Sequence, residues 1–246
     1  MIDNQYAHQS IPGLFVIPDY FSAEQCHLML ADTLSLYNRL EGTAKESGLE
    51  EIACIPQPDF VRSAQHNLHS NESFVRVVLN EREDREIYCE YFPRYGEDGH
   101  ALGYFRKNSN LPDFVLQTVL NSLQQTMQTL LLVRDNQQKS WQWKLTVNFY
   151  KNVNGTVAGF PFHVDIPANG VVTMILNIHS EAFIQMAKDD KVIDIIVPIG
   201  GLVVLSGESR YDWKHRVVPK ISKQMLSDQP ANKYKIERVS MVLGFQ

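Results

Sequence analysis

The feature that most constrains the fold is the second half of the chain. From residue 141 onward the runs WQWKLTVNFY, GVVTMILNI, AFIQMA, KVIDIIVPI, GLVVLS and RVSMVLGF are separated by Gly, Pro and Asp-Asp turns. Several have the period-two or β-branched character of strands, and their close spacing suits antiparallel pairing. Two helical stretches come first. The segment IPGLFVIPDY leads into Ser22-Ala23-Glu24-Gln25, a capping box whose Ser and Gln side chains satisfy free amides at a helix start. A helix over about 23–40 follows, with Leu28, Leu30, Leu34 and Leu36 as its apolar positions. Pro112 and Asp113 open a second helix over about 113–133, whose Phe114, Val115, Val119, Leu120, Leu123, Met127, Leu130 and Leu131 recur at helical spacing and read as core.

Helices first and antiparallel strands afterwards predict an α+β architecture: a jelly roll, or double-stranded β-helix, with the N-terminal helices packed outside it. The stretch 42–110, including NEREDRE and RYGEDGH, is irregular, rich in charge and too long for an ordinary connection. It is read as a lid over the site or as a region containing further strands. A length of 246 residues suits a single domain, with helices and lid over 1–140 and the jelly-roll core over 141–246.

Composition excludes several classes. Hydrophobic content of 44% and charged content of 21% indicate a globular chain with a sizeable core rather than a disordered one. Cys26, Cys54 and Cys89 are widely spaced and contain no C-x-x-C pair, so they read as reduced thiols rather than a disulfide framework or a zinc site. The sequons at Asn71 and Asn154 then lack a glycosylation context. The start MIDNQYAHQS is acidic and polar where an export signal carries positive charge and an apolar run, and no apolar stretch nears the ~20 residues of a membrane span. An intracellular protein, cytoplasmic or nuclear and without a membrane partner, is expected. A net charge of −5 argues against a broad nucleic-acid-binding surface. It leaves open a local stripe through Lys214, Arg216, Lys220, Lys223, Lys233, Lys235 and Arg238, which reads equally well as a solvated loop.

The chemistry points to GFPFHVDIPANG, residues 159–170. In a chain with eight His and 14 Asp, chance alone supplies roughly half a His-x-Asp on average, so His163 and Asp165 prove nothing alone. On a strand over 159–166, however, the two side chains share a face and can reach one metal. A third ligand must come from a neighbouring strand, and His215, after GLVVLS and GESRYDWKH, is the candidate. Two His and one carboxylate on one side of an iron leave its other side open. His179-Ser180-Glu181 offers a competing pair, but it ends a strand where a turn is expected. Activation of O2 at such an iron needs a reductant, and a dicarboxylate reductant needs a fixed cation at the far end of its pocket. Arg238 is the candidate, because a guanidinium grips a carboxylate with two hydrogen bonds. Taken alone, Arg238 is better explained as half of a surface ion pair with Glu237 or Asp228. Asn148 and Tyr150 share a face of LTVNFY and can add an amide and a phenol to the same carboxylate.

The ordered set Asn148-x-Tyr150, His163-x-Asp165, Arg210-Tyr211-x-Trp213-x-His215 and Arg238-x-Ser240 resembles the AlkB-like dioxygenases, with the resemblance strongest over about 140–245. It implies that His163, Asp165 and His215 bind Fe(II), and that Asn148, Tyr150 and Arg238, with Ser240 beside them, bind 2-oxoglutarate. It also implies consumption of O2 to hydroxylate or demethylate a substrate, N-alkylated bases in DNA or RNA first, a protein side chain second. YGEDGHALGYF is similar to the family's substrate lid, and Tyr95, Tyr104, Phe105 and Trp213 are aromatic candidates for pocket walls. Prolyl-hydroxylase-type relatives place their co-substrate cation about ten residues past the last His, where only Lys223 comes close. The chain departs from the family at Gly244, where a second Arg is usual. That departure bears on the substrate side of the pocket and supports a third reading, a jelly-roll binding module without catalysis.

Overall fold

The computed structural model describes residues 4–46, 74–81, 87–92, 94–95, 101–102, 105–108, 143–153, 155–221 and 235–245. The strands of the first half are β1 (Leu14–Ile17), β2 (Phe74–Glu81), β3 (Ile87–Phe92), β4 (Arg94–Tyr95), β5 (Ala101–Leu102) and β6 (Phe105–Asn108). Those of the second half are β7 (Trp143–Val153), β8 (Thr156–Val157), β9 (Phe160–His163), β10 (Val172–His179), β11 (Ala182–Lys188), β12 (Lys191–Val197), β13 (Leu202–Ser206), β14 (Lys214–Val217), β15 (Lys220–Ile221) and β16 (Lys235–Phe245). The helix over Ala23–Glu46, α1, runs six residues past the expected end at residue 40. The second expected helix, 113–133, lies outside the described residues.

The larger sheet has the order β1-β13-β10-β16-β7-β2-β3-β6 and the smaller one β12-β11-β14-β9. Every pairing described is antiparallel, and the chain alternates between the sheets: β7 large, β9 small, β10 large, β11 and β12 small, β13 large, β14 small, β16 large. That alternation is the jelly-roll winding expected from the spacing of the strands. Part of the 42–110 stretch contributes strands that widen the larger sheet: β2 pairs with β7, β3 with β2, and β6 with β3.

Period-two alternation sorts β2, β7 and β16 into two faces. Val75, Val77, Leu79, Leu145, Val147, Phe149, Val239, Met241 and Leu243 point outward and form one buried cluster with Cys26, Met29, Leu36, Tyr37 and Leu40 of α1. Each such side chain contributes about 1.5–3 kcal/mol when fully buried. The capping box holds as expected, with the Ser22 amide donating to Gln25 Oε1 at 2.9 Å and the Gln25 amide to Ser22 Oγ at 3.2 Å. Of the apolar positions noted on this helix, Leu28 is exposed, because the face carrying Cys26, Met29 and Leu36 is the one that meets the sheet. Between the sheets, Ile175, Val203 and Leu205 pack against Ile184, Met186, Ile195 and Val197. The opposite end of the interior is left to polar and aromatic side chains. No helix among the described residues is long and apolar enough to cross a membrane.

Candidate metal centre

β9 is the edge of the smaller sheet, which is why it tolerates Pro161, a residue that cannot donate to a ladder. His163 ends this strand and stands opposite His215 of β14. The strand expected over 159–166 therefore stops at His163, and Asp165 lies in the connection beyond it. Proline restricts the residue before it to extended backbone, and Ile166, preceding Pro167, has φ −62° and ψ 150°. The chain then turns through Pro167–Asn169.

The three expected ligand side chains come together. Their nearest ligand atoms lie within 4.8 Å of one another, the one such grouping among the described residues. The rings of His163 and His215 are 4.1 Å apart between centroids. His163 Nε2 is 3.8 Å from Asp165 Oδ1, and His215 Nε2 is 3.9 Å from Asp165 Oδ2. Both separations are too long for hydrogen bonds. All three residues are largely withdrawn from solvent, yet Asp165 Oδ2 is buried with no hydrogen-bond partner among the described residues. A buried carboxylate oxygen left without a donor costs free energy, and a cation between the three groups removes that cost.

The protonation states suit a cation as well. Burial, and next the charge of His215, hold His163 down at about 3, so its imidazole is neutral at neutral pH. Its Nδ1 is 2.8 Å from Pro161 O, and since a carbonyl only accepts, Nδ1 carries the proton and Nε2 presents its lone pair to the site. Burial likewise lowers His215. Burial alone would raise Asp165, but the charges of His215, His163 and Arg210 outweigh it and keep the carboxyl below its usual range. Two neutral imidazoles and one carboxylate form the donor set of a hard-to-borderline divalent metal.

Arg210, in the helical turn Glu208–Tyr211, anchors the connection that carries Asp165. It is 2% exposed, Nη1 donates to Asp165 O at 2.8 Å, and Nη2 donates to Ile166 O at 2.8 Å and Gly170 O at 3.2 Å. Trp213 packs into the apolar interior and its Nε1 donates to Glu208 Oε1, so it forms no pocket wall. The side chains of Tyr95, Tyr104 and Phe105 lie outside the described residues. The competing His179 sits at the end of β10, opposite Val239, apart from the cluster.

The expected co-substrate residues line the inner face of the larger sheet in two cross-strand pairs, Arg238 opposite Tyr150 and Ser240 opposite Asn148. Arg238 is buried rather than at the surface, its guanidinium carbon 3.4 Å from the centre of the Tyr150 ring. Burial lowers its pKa, opposed by Tyr150, and one of its nitrogens, Nη2, has no hydrogen-bond partner among the described residues. Gly244 also has a physical cause. A Cβ there would lie 2.0 Å from the carbonyl oxygen of Asn169, in the connection after Asp165, so no side chain fits. Sequence reasoning missed Arg76 of β2. It stands opposite Asn148 and donates from Nε to Asn148 Oδ1 at 2.9 Å.

No family model matches the chain, and no curated protein does. Among solved structures, it is similar to OsALKBH1 at 15% identity and TM-score 0.48, covering 97% of this chain and 100% of that one. It is also similar to a Pseudomonas putida prolyl-4-hydroxylase at 15% identity and TM-score 0.43, covering 99% and 95%. A bsmA homologue from Methylobium petroleophilum follows at 10% identity and TM-score 0.45, covering 95% and 88%. At such identities and scores, the chemistry must be read from this chain's own residues.

Proposed function

We propose that the chain is an Fe(II)- and 2-oxoglutarate-dependent oxygenase that hydroxylates a C–H bond. N-alkylated bases of DNA or RNA are the substrates we put first, and residues 1–246 act as one intracellular catalytic unit. The observation that carries this reading is the buried trio of His163, Asp165 and His215, whose donor atoms converge while one carboxylate oxygen is left without a donor. Iron bound there with 2-oxoglutarate supplies the oxidising equivalents of O2, so that the co-substrate becomes succinate and CO2 and the substrate carbon gains a hydroxyl, which at an N-methyl group ends in release of formaldehyde.

The chain's own residues have three tasks. His163, Asp165 and His215 hold the metal from one side, which leaves positions for co-substrate and O2. Arg238 grips the far carboxylate of 2-oxoglutarate, with Tyr150 stacked beneath the guanidinium and Asn148 and Ser240 on the neighbouring row. Arg210 holds the connection that carries Asp165 in position and, after His215 and His163, helps keep its carboxylate ionised. Gly244, the residue that favoured a non-catalytic module, has a packing cause in the approach of Asn169 and so no longer argues against turnover.

The experiment is to measure succinate formation from 2-oxoglutarate with Fe(II) and O2, then to repeat it with methylated single- and double-stranded oligonucleotides and with methylated peptides. Oligonucleotide-stimulated succinate and formaldehyde support the reading. Stimulation by peptides alone moves the substrate to protein, and no succinate from the wild-type chain under any condition rejects the oxygenase.

A further inference from the structure

Among the described residues, the interior face of the larger sheet carries two guanidinium groups, on different strands and at different depths. Phe74, Tyr150 and Arg238 form one row across β2, β7 and β16, and Arg76, Asn148 and Ser240 form the next. Rows of one sheet face are about 7 Å apart, a span that a five-carbon dicarboxylate bridges. Continuing along β16 from Arg238 past Ser240 leads to Gly244, which touches the connection following Asp165. Arg76 is therefore one row nearer the metal-ligand connection than Arg238. Its guanidinium lies 5.1 Å from the centre of the Phe160 ring, and that ring packs edge-on against His163 at 4.8 Å. By donating to Oδ1 of Asn148, Arg76 also fixes that amide so that its NH2 faces away as a donor.

We propose that Arg76 is a binding residue for the metal-end carboxylate of the 2-oxo acid, acting with the Asn148 amide, while Arg238 holds the far carboxylate. This rests on the oxygenase reading above. Gly244 has no room for a side chain, so β16 offers no second cation at that position, and Arg76 of β2 is the second guanidinium on this face among the described residues. The expected specificity is for 2-oxo acids with a carboxylate at each end, each matched to its own guanidinium.

The test uses the full chain loaded with Co(II), with ligand affinities measured by calorimetry for 2-oxoglutarate and for 2-oxobutyrate, which lacks the far carboxylate. Arg76→Met is expected to weaken both acids by a similar factor of about 10–100, the loss of one charge-assisted contact. Arg238→Met is expected to weaken 2-oxoglutarate by that range and to leave 2-oxobutyrate within twofold. The visible absorption of bound Co(II) reports whether each variant keeps its fold. If Arg76→Met does not, Arg76→Lys, which retains charge but not the fork, carries the test and should weaken both acids several-fold. A folded Arg76→Met, or in its place Arg76→Lys, that binds both acids as the wild type does overturns the proposal, as does a loss confined to 2-oxoglutarate. Wild-type protein that binds Co(II) but neither acid refutes the oxygenase reading instead.

Discussion

Replacing Arg210 with Met should uncouple the Asp165 connection from the body of the fold. The guanidinium satisfies three backbone carbonyls, of Asp165, Ile166 and Gly170, two at 2.8 Å and one at 3.2 Å, from a position only 2% exposed. Hydrogen bonds to a charged donor contribute about 1.5–3 kcal/mol each, and carbonyls left buried without a donor cost about 1–3 kcal/mol each. Part of this is offset, because Arg210 Nε has no partner among the described residues and Met removes a buried charge. The net expectation is a loss of about 3–5 kcal/mol, the range for breaking a buried charged network. Metal affinity should fall with it, since Arg210 helps keep the Asp165 carboxyl ionised. The assay is urea denaturation of metal-free protein, followed by a Co(II) titration under native conditions. A loss below about 1 kcal/mol with unchanged Co(II) affinity would refute the anchoring role.

Three further outcomes follow from single contacts. Gly244→Ala sets a methyl 2.0 Å from Asn169 O, so it should cost about 1–3 kcal/mol in urea denaturation and also weaken Co(II) binding by displacing the connection after Asp165. Ser22→Ala removes one half of the α1 capping box and should cost about 1 kcal/mol with metal binding unchanged. His163 stays neutral in the folded chain down to about pH 3 and is protonated near pH 6.5 when unfolded, so metal-free protein should lose stability as pH falls from about 6.5 toward 3. His163→Gln should flatten that dependence, as read by thermal melting across the same range.

Much of the site was legible because its signals are local or depend on residue type. The capping box at Ser22 and Gln25 is a contact over three residues, and the alternation of LTVNFY puts Asn148 and Tyr150 on one face of their strand, while the register with β16 is what sets Arg238 and Ser240 opposite them. What escaped detection depends on contacts distant in sequence. Arg76 belongs to a strand at the edge of a charge-rich stretch and meets Asn148 across 72 residues, so nothing near it in sequence marks it as interior. Asp165 was expected on the strand, but the strand stops at His163, and Asp165 lies two residues beyond it, in the connection that leads to Pro167. Gly244 looked like the loss of a functional side chain. Its cause, the backbone of Asn169, becomes visible only once the connection after Asp165 folds against β16. Arg210 stood out as part of a motif, while its three acceptors lie 40–45 residues earlier in the chain.

The proposed function requires His163, Asp165 and His215 to hold iron beside a 2-oxoglutarate site. Anaerobic protein with Fe(II) and 2-oxoglutarate should develop the weak visible charge-transfer absorption of a metal-chelated 2-oxo acid. His163→Ala should abolish it, and Arg238→Met should require a higher 2-oxoglutarate concentration to produce it. Absence of the band in wild-type protein, or its persistence unchanged in His163→Ala, contradicts the assignment.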